Sequence, residues 1–176
     1  NIHTKKYVLP SIQREFVWST SQITKLFDSL MKDYPINSFL FWEVDKENIN
    51  KFMFYEFLRD YHQRKNKHNE KANLNGSENV IAILDGQQRL TSLYIGLKGS
   101  YAYKLPHKKF SNEQAYPIRK LYLNLLSRSE DIEYDYEFAF LTDEESKKND
   151  ENHYWFRVGD ILDLKDTTKV MDYLIK

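Results

Sequence analysis

Apolar and polar residues change their spacing several times along the chain, and each change marks a predicted element. Ile23, Leu26, Phe27, Leu30 and Met31 fall at the i, i+3, i+4, i+7, i+8 positions of one helical face. Ser19 or Thr20 is placed to cap that helix, and Tyr34-Pro35 ends it. Upstream, residues 7–9 read as a short extended segment, because the residue before Pro10 is steered away from helix. Residues 38–44 (SFLFWEV) read as a buried strand and 52–57 (FMFYEF) as another. Residues 58–78 have no period and many turn formers, which predicts an insertion loop. A strand follows at 80–84. A helix then runs over 86–98, with Leu90, Leu93, Tyr94 and Leu97 on its apolar face and Gly99 closing it at C′.

The second half alternates more weakly. Residues 100–105, 120–126 and 136–141 read as strands, the last two paired across an acidic connection. Residues 106–117 are a predicted loop, 142–152 a charged loop or short helix, and 154–158 an extended piece before a turn at 159–164. A last helix is expected to start near 166–168. There is no internal repeat. Together these elements predict an α+β fold, a mixed sheet flanked by helices, in one domain over residues 1–176.

Composition narrows the function classes. With 26 basic and 26 acidic side chains the net charge is zero, so a whole-surface grip on nucleic acid is not expected and any such contact is local. There is no cysteine, which excludes disulfides, thiol nucleophiles and cysteine-ligated metals and fits a reducing cytoplasm. No apolar run approaches the roughly 18 residues of a membrane span, and no signal peptide is visible. The chain starts at Asn1 and ends within an apolar pattern, so a fragment of a longer protein is expected.

The candidate chemistry lies at ILDGQQRLTSLY, residues 83–94, where an apolar strand meets a helix. On a plain reading Asp85 is the N-cap, Gln88 its capping-box partner, and Gly86 relieves crowding. Arg89 argues for more, because a cation in the first helical turn opposes the helix dipole. An anion at the helix N-terminus reconciles them: free N–H groups, the dipole and Arg89 all favour the same phosphate, and Gly86 lets the backbone approach it. Ser92, one turn in, is a candidate to assist phosphate or Mg²⁺, while Thr91 reads as a helix-surface hydroxyl. Upstream, LPSIQREFVW places a second Gln-Arg pair, Gln13-Arg14, just before the first helix. The two junctions are expected to converge on one polyanion.

Together, LPSIQREFVW…YPINSFLFWEV and ILDGQQRLTSLY resemble the N-terminal DGQQR-motif domain of GmrSD-type restriction proteins, whose fold is similar to the ParB and sulfiredoxin N-terminal domains. The resemblance runs from about residue 7 to 97, and both motifs are intact: Pro10, Gln13, Arg14 and Trp18, then Asp85 to Arg89. It implies nucleoside-triphosphate binding, with Mg²⁺-assisted hydrolysis in some members. It also implies a role in modification-dependent restriction and phage defence, often beside a nuclease domain of the His-Asn-His type. Such a nuclease is not visible here, where His3, His62, His68, His107 and His153 are scattered. The sulfiredoxin reaction is excluded, since it requires a cysteine.

On this reading Gln13, Arg14, Gly86, Arg89 and Ser92 bind phosphate, and Asp85, Gln87 and Gln88 act on the attacking water or position Mg²⁺. No residue is assigned as a dedicated metal ligand. The alternative is a non-enzymatic DNA-binding or docking module whose DGQQR turn is structural. Trp18 reads as core, Asp28 and Ser29 as a solvated helix face, and the acidic run Glu130, Asp131, Glu133, Asp135, Glu137 as too loosely spaced for a metal site. Arg59, Arg64, Lys65, Lys67 and Lys71 in the insertion are candidates for DNA phosphate, or a solvated loop. DNA contact through other domains and self-association both remain compatible with the pattern.

Overall fold

The structure, a computed structural model, describes residues 2, 6–12, 14–129 and 133–175. Within them lie nine strands and four helices in an α+β arrangement of two mixed sheets. Two elements follow the local sequence closely. Strand β1 is Tyr7–Pro10. Helix α1, Thr20–Met31, is opened by Ser19, whose hydroxyl accepts the Gln22 N–H while the Gln22 side chain accepts the Ser19 N–H. This is a full capping box. Its apolar stripe buries Ile23, Leu26 and Phe27, and Leu30 and Met31 drift to the exposed edge.

Strand β2, Leu40–Asp45, departs from the expected buried strand: only Val44 is buried. The first sheet has the order β2-β5-β1-β3, where β3 is Phe54–Tyr55 and β5 is Asn79–Asp85. As an edge strand, β2 pairs antiparallel with β5 and leaves Leu40 and Phe41 exposed. A run of apolar residues does not itself say whether both faces will be covered. Helix α2 is a single turn, Lys46–Ile49. The strand expected over 52–57 shrinks to β3.

Residues 58–78 are not a plain insertion loop. Strand β4, Asp60–His62, pairs in parallel with β6, Ser100–Ala102. The Glu56 N–H donates to Glu70 O and the Ala72 N–H to Phe54 O, so the segment folds back along β3. Backbone pairing holds this region without a hydrophobic period to announce it.

The second sheet runs β4-β6-β7-β8, with β7 at Ile118–Asn124 and β8 at Phe138–Leu141. The predicted pairing of these two strands is present, and it is antiparallel, with Leu121 opposite Phe140. Strand β9, Trp155–Arg157, also pairs antiparallel with β7. The terminal helix α4, Thr167–Leu174, is capped by the Asp166 carboxylate.

Helix α3, Gln87–Lys98, ties the sheets together. Leu93 and Leu97 pack on the cluster of Phe16, Ile23, Phe27 and Leu121, while Leu90 and Tyr94 pack on Leu9, Phe57 and Ile83. Between these stripes lies its most buried face, Gln87, Gln88, Thr91, Ser92, Ile95 and Gly96. The expected face of Leu90, Leu93, Tyr94 and Leu97 is thus two half-buried flanks around a polar, small-residue centre. Thr91, expected at the surface, is fully buried. Gly99 ends the helix in extended conformation, not left-handed as a C′ glycine would be. Its hydrogen is needed because a Cβ would lie 1.8 Å from the Arg59 carbonyl oxygen.

Candidate functional site

The junction between β5 and α3 is built by glycine. Asp85 is the last residue of β5, and the N-cap position falls on Gly86, in the left-handed region at φ 87°. That corrects the expected cap: Asp85 sits one residue too early, and among the described residues no side chain caps α3. A Cβ on Gly86 would come within 2.3 Å of the Phe39 ring, which lies over the turn. Both backbone angle and space therefore require glycine here. The Leu90 N–H is the first in the helix bonded to an intrahelical carbonyl, that of Gly86. The N–H groups of Gln87, Gln88 and Arg89 belong to the orphan donors of a helix start.

Next to them, the glutamines reach across the chain. Gln87 Nε2 donates to Arg14 O, Gln88 Nε2 donates to Glu15 O at 2.9 Å, and Gln88 Oε1 accepts the Val17 N–H at 3.0 Å. Both side chains are buried. The Gln88 amide thus pairs with residues 15 and 17 as a strand would. The two Gln-Arg segments do converge, but through the amides of one and the backbone of the other. Gln13 lies outside the described residues.

Arg89 also serves the backbone. Its guanidinium donates to Ile36 O and to Ser38 O at 2.7 Å, meets Asp85 Oδ2 at 3.3 Å and stacks on Phe39 at 4.7 Å. The Arg89 side chain is 13% exposed and that of Asp85 is 64% exposed. Arg89 therefore clamps the α1–β2 connection over the junction, and Asp85 offers an open carboxylate. The fork geometry of guanidinium suits two adjacent carbonyls as well as it suits an anion. Ser92 is fully buried in the core face, away from any open surface.

Beside the junction is a cleft of about 290 Å³ lined by Leu9, Pro10, Ser11, Arg14, Glu15, Tyr55, His68, Asn69 and Gln87. Arg14 is exposed and makes no ion pair among the described residues. One polar atom at the cleft wall is orphaned: Gln87 Oε1 is buried with no hydrogen-bond partner among the described residues. Thr91 and Ser92 hydroxyls share that state farther along the helix. A larger hollow of about 420 Å³ lies along residues 49–54 and 71–75, but no motif residue lines it.

His68 was the residue the pattern did not single out. It lies in the polar segment, and only the fold brings it to Arg14, with its imidazole against Glu15. Other expectations also shift. Asp28, read as solvated, is 3% exposed and accepts the N–H groups of Asp135 and Tyr136 as well as the Lys32 ammonium. It fastens α1 to the segment just before β8. Trp18 packs against the core, as expected. Of the basic segment, Arg59 pairs with Asp60, Lys65 with Glu113, and Arg64 donates to Ser111 O. Of the acidic run, Glu130 and Asp131 lie outside the described residues, Asp135 meets Lys32, and Glu137 accepts from Asn124 and Ser127. Among the described residues no cluster of three His, Cys, Asp or Glu side chains could hold a metal ion, and no helix is long and apolar enough to cross a membrane. Among the described residues a Mg²⁺ ion finds no all-protein cage, and the side chains present fit it only as an ion held by one or two carboxylates with its remaining ligands from outside the chain.

Comparison with known proteins covers nearly the whole chain. Residues 1–175 match the family model described as the N-terminal domain of the GmrSD restriction endonuclease. An uncharacterized protein of Methanocaldococcus jannaschii is 33% identical over 110 residues, a match that covers 62% of this chain and 17% of that protein.

Proposed function

The chain belongs to the family of GmrSD restriction endonuclease N-terminal domains, and from that premise we propose that it binds a nucleoside triphosphate at the β5–α3 junction and hydrolyses it with Mg²⁺, in the service of a DNA-targeting restriction system. The observation that carries this reading is the uncapped start of α3 beside the Arg14 cleft. Orphan N–H groups at the positive end of a helix favour a phosphate, and a cation without an ion-pair partner reinforces them. In this reading Arg14 is the cation that meets the phosphate, and Gly86 brings the backbone close. Arg89 holds the junction in shape. Gln87 and Gln88 keep Arg14 and its neighbours against the helix. Asp85, the open carboxylate, is the group that supports a Mg²⁺ arriving with the triphosphate. Ser92 has no place in phosphate contact, because it is buried in the core.

The test is a binding panel of ATP, GTP, CTP and UTP, with and without Mg²⁺, on the parent chain and Arg14→Ala. A charge-assisted hydrogen bond is worth about 1.5–3 kcal/mol, so Arg14→Ala should bind about tenfold to a hundredfold more weakly. Parent-like affinity in Arg14→Ala would remove the phosphate from this cleft. A second reading has its own support: the side chains of Gln87, Gln88 and Arg89 are all engaged with backbone. On it, the DGQQR turn is a structural staple in a non-enzymatic module. Mg²⁺-dependent turnover by the parent, lost in Asp85→Asn, separates the first reading from the second.

A further inference from the structure

Within the reading that this cleft takes a nucleoside triphosphate, we infer that His68 and Glu15 form a general-base dyad for the attacking water. The imidazole Nδ1 of His68 donates to the Glu15 Oε1 carboxylate oxygen, and both residues line the cleft with Arg14, Ser11 and Gln87. With Nδ1 so engaged, the neutral ring presents its lone pair on Nε2, which has no partner among the described residues. A base held in one tautomer by a carboxylate is the arrangement that proton abstraction requires.

Both halves of the dyad sit on stretches held by side-chain-to-backbone hydrogen bonds. Glu15 belongs to the segment whose carbonyl is bonded by Gln88, and the preceding Arg14 carbonyl is bonded by Gln87. On the other side, the Asn69 side chain donates to Glu56 O and the Glu56 N–H donates to Glu70 O. His68 is therefore carried on a stretch tied to the end of β3. These ties hold the two stretches that carry residues 15 and 68. As a staple, the contact would achieve little: the side chains are 52% and 68% exposed, and exposed ion pairs stabilise weakly.

His68 Nε2 takes a proton from water. The water oxygen forms a bond to the terminal phosphorus, and the bond from that phosphorus to the bridging oxygen breaks. The electron pair leaves with the nucleoside diphosphate, and Glu15 holds the resulting imidazolium. Arg14, in the same cleft, faces the phosphate charge.

The test measures binding and turnover separately, using ATP, GTP, CTP and UTP with Mg²⁺ on the parent chain, His68→Gln, His68→Ala and Glu15→Gln. His68→Gln should keep nucleotide affinity and lose on the order of 10²–10⁴-fold in turnover. Added imidazole should restore part of the turnover of His68→Ala, which a structural role would not allow. Glu15→Gln should lose turnover as well, by a smaller factor. Parent-like turnover in folded His68→Gln would overturn the dyad. A parent that binds nucleotide without turning it over would also overturn the dyad and leave the binding reading standing. No binding of any of the four nucleotides would overturn the reading itself.

Discussion

Arg89 aims its guanidinium at two carbonyls of the α1–β2 connection, and this changes what its removal should do. A phosphate ligand at a helix start could be deleted at little cost to the fold. A nearly buried clamp cannot, because the Ile36 and Ser38 carbonyls lose their donors together. Each hydrogen bond to a charged group is worth about 1.5–3 kcal/mol, and partial rehydration offsets some of the loss. Arg89→Ala should therefore lower unfolding free energy by about 2–4 kcal/mol. Arg89→Lys should recover only part of it, for an ammonium has no planar fork. Urea denaturation of the three proteins measures this, and a parent-like midpoint for Arg89→Ala would show that the clamp carries no stability. The residue type was legible in the sequence as an anomaly, a cation in a first turn. Its carbonyl partners, Ile36 and Ser38, lie about fifty positions away, and no local pattern points to them.

Among the elements, β4 and the turn after it carry a pH dependence. His62 Nδ1 accepts the N–H groups of Arg64 and Lys65, and its ring stacks on Tyr116. Burial, then the Lys65 charge, holds the His62 imidazole below its ordinary value of 6.5. A histidine whose folded value is depressed stabilises the fold fully above about 6.5, and that contribution disappears as pH falls through the lower folded value. The mechanism is local, since a protonated Nδ1 cannot accept the two N–H groups. The His62 ring should titrate below 6.5 by NMR, and amide exchange at Arg64 and Lys65 should accelerate as the pH is lowered past that point. Titration at or above 6.5, or exchange at these amides indifferent to that protonation, would refute it. The existence of a turn here was readable from its polar composition. The strand preceding it was not, because three half-exposed residues pair with β6, about forty positions later.

On the scale of the whole molecule, α3 decides how the sheets behave together. One flank packs on residues of the first sheet and the other on the second, and α1 lies against both α3 and β8. Unfolding either sheet would expose a flank of the same helix. The chain should therefore unfold in one cooperative transition, with far-ultraviolet circular dichroism and tryptophan fluorescence giving coincident curves. Two separated transitions would mean that the sheets are independent units. With no net charge and much of the basic segment already paired, an electrostatic hold on DNA by the chain as a whole is not expected either.

What the sequence determined by itself is whatever rests on neighbours in the chain. The Ser19–Gln22 capping box, the stripe of α1 and the strand-to-helix junction at Gly86 follow from residues a few positions apart, and the pairing of β7 with β8 from two strands joined by one short connection. The tertiary structure alone decided which polar groups meet. It sent the Gln88 amide to residues 15 and 17, buried Asp28 against the N–H groups of 135 and 136, left β2 at a sheet edge, and set His68 against Glu15. The physical reason is that a hydrophobic period records which face of an element is covered, whereas a buried hydrogen-bonding group must find its partner wherever the chain happens to return.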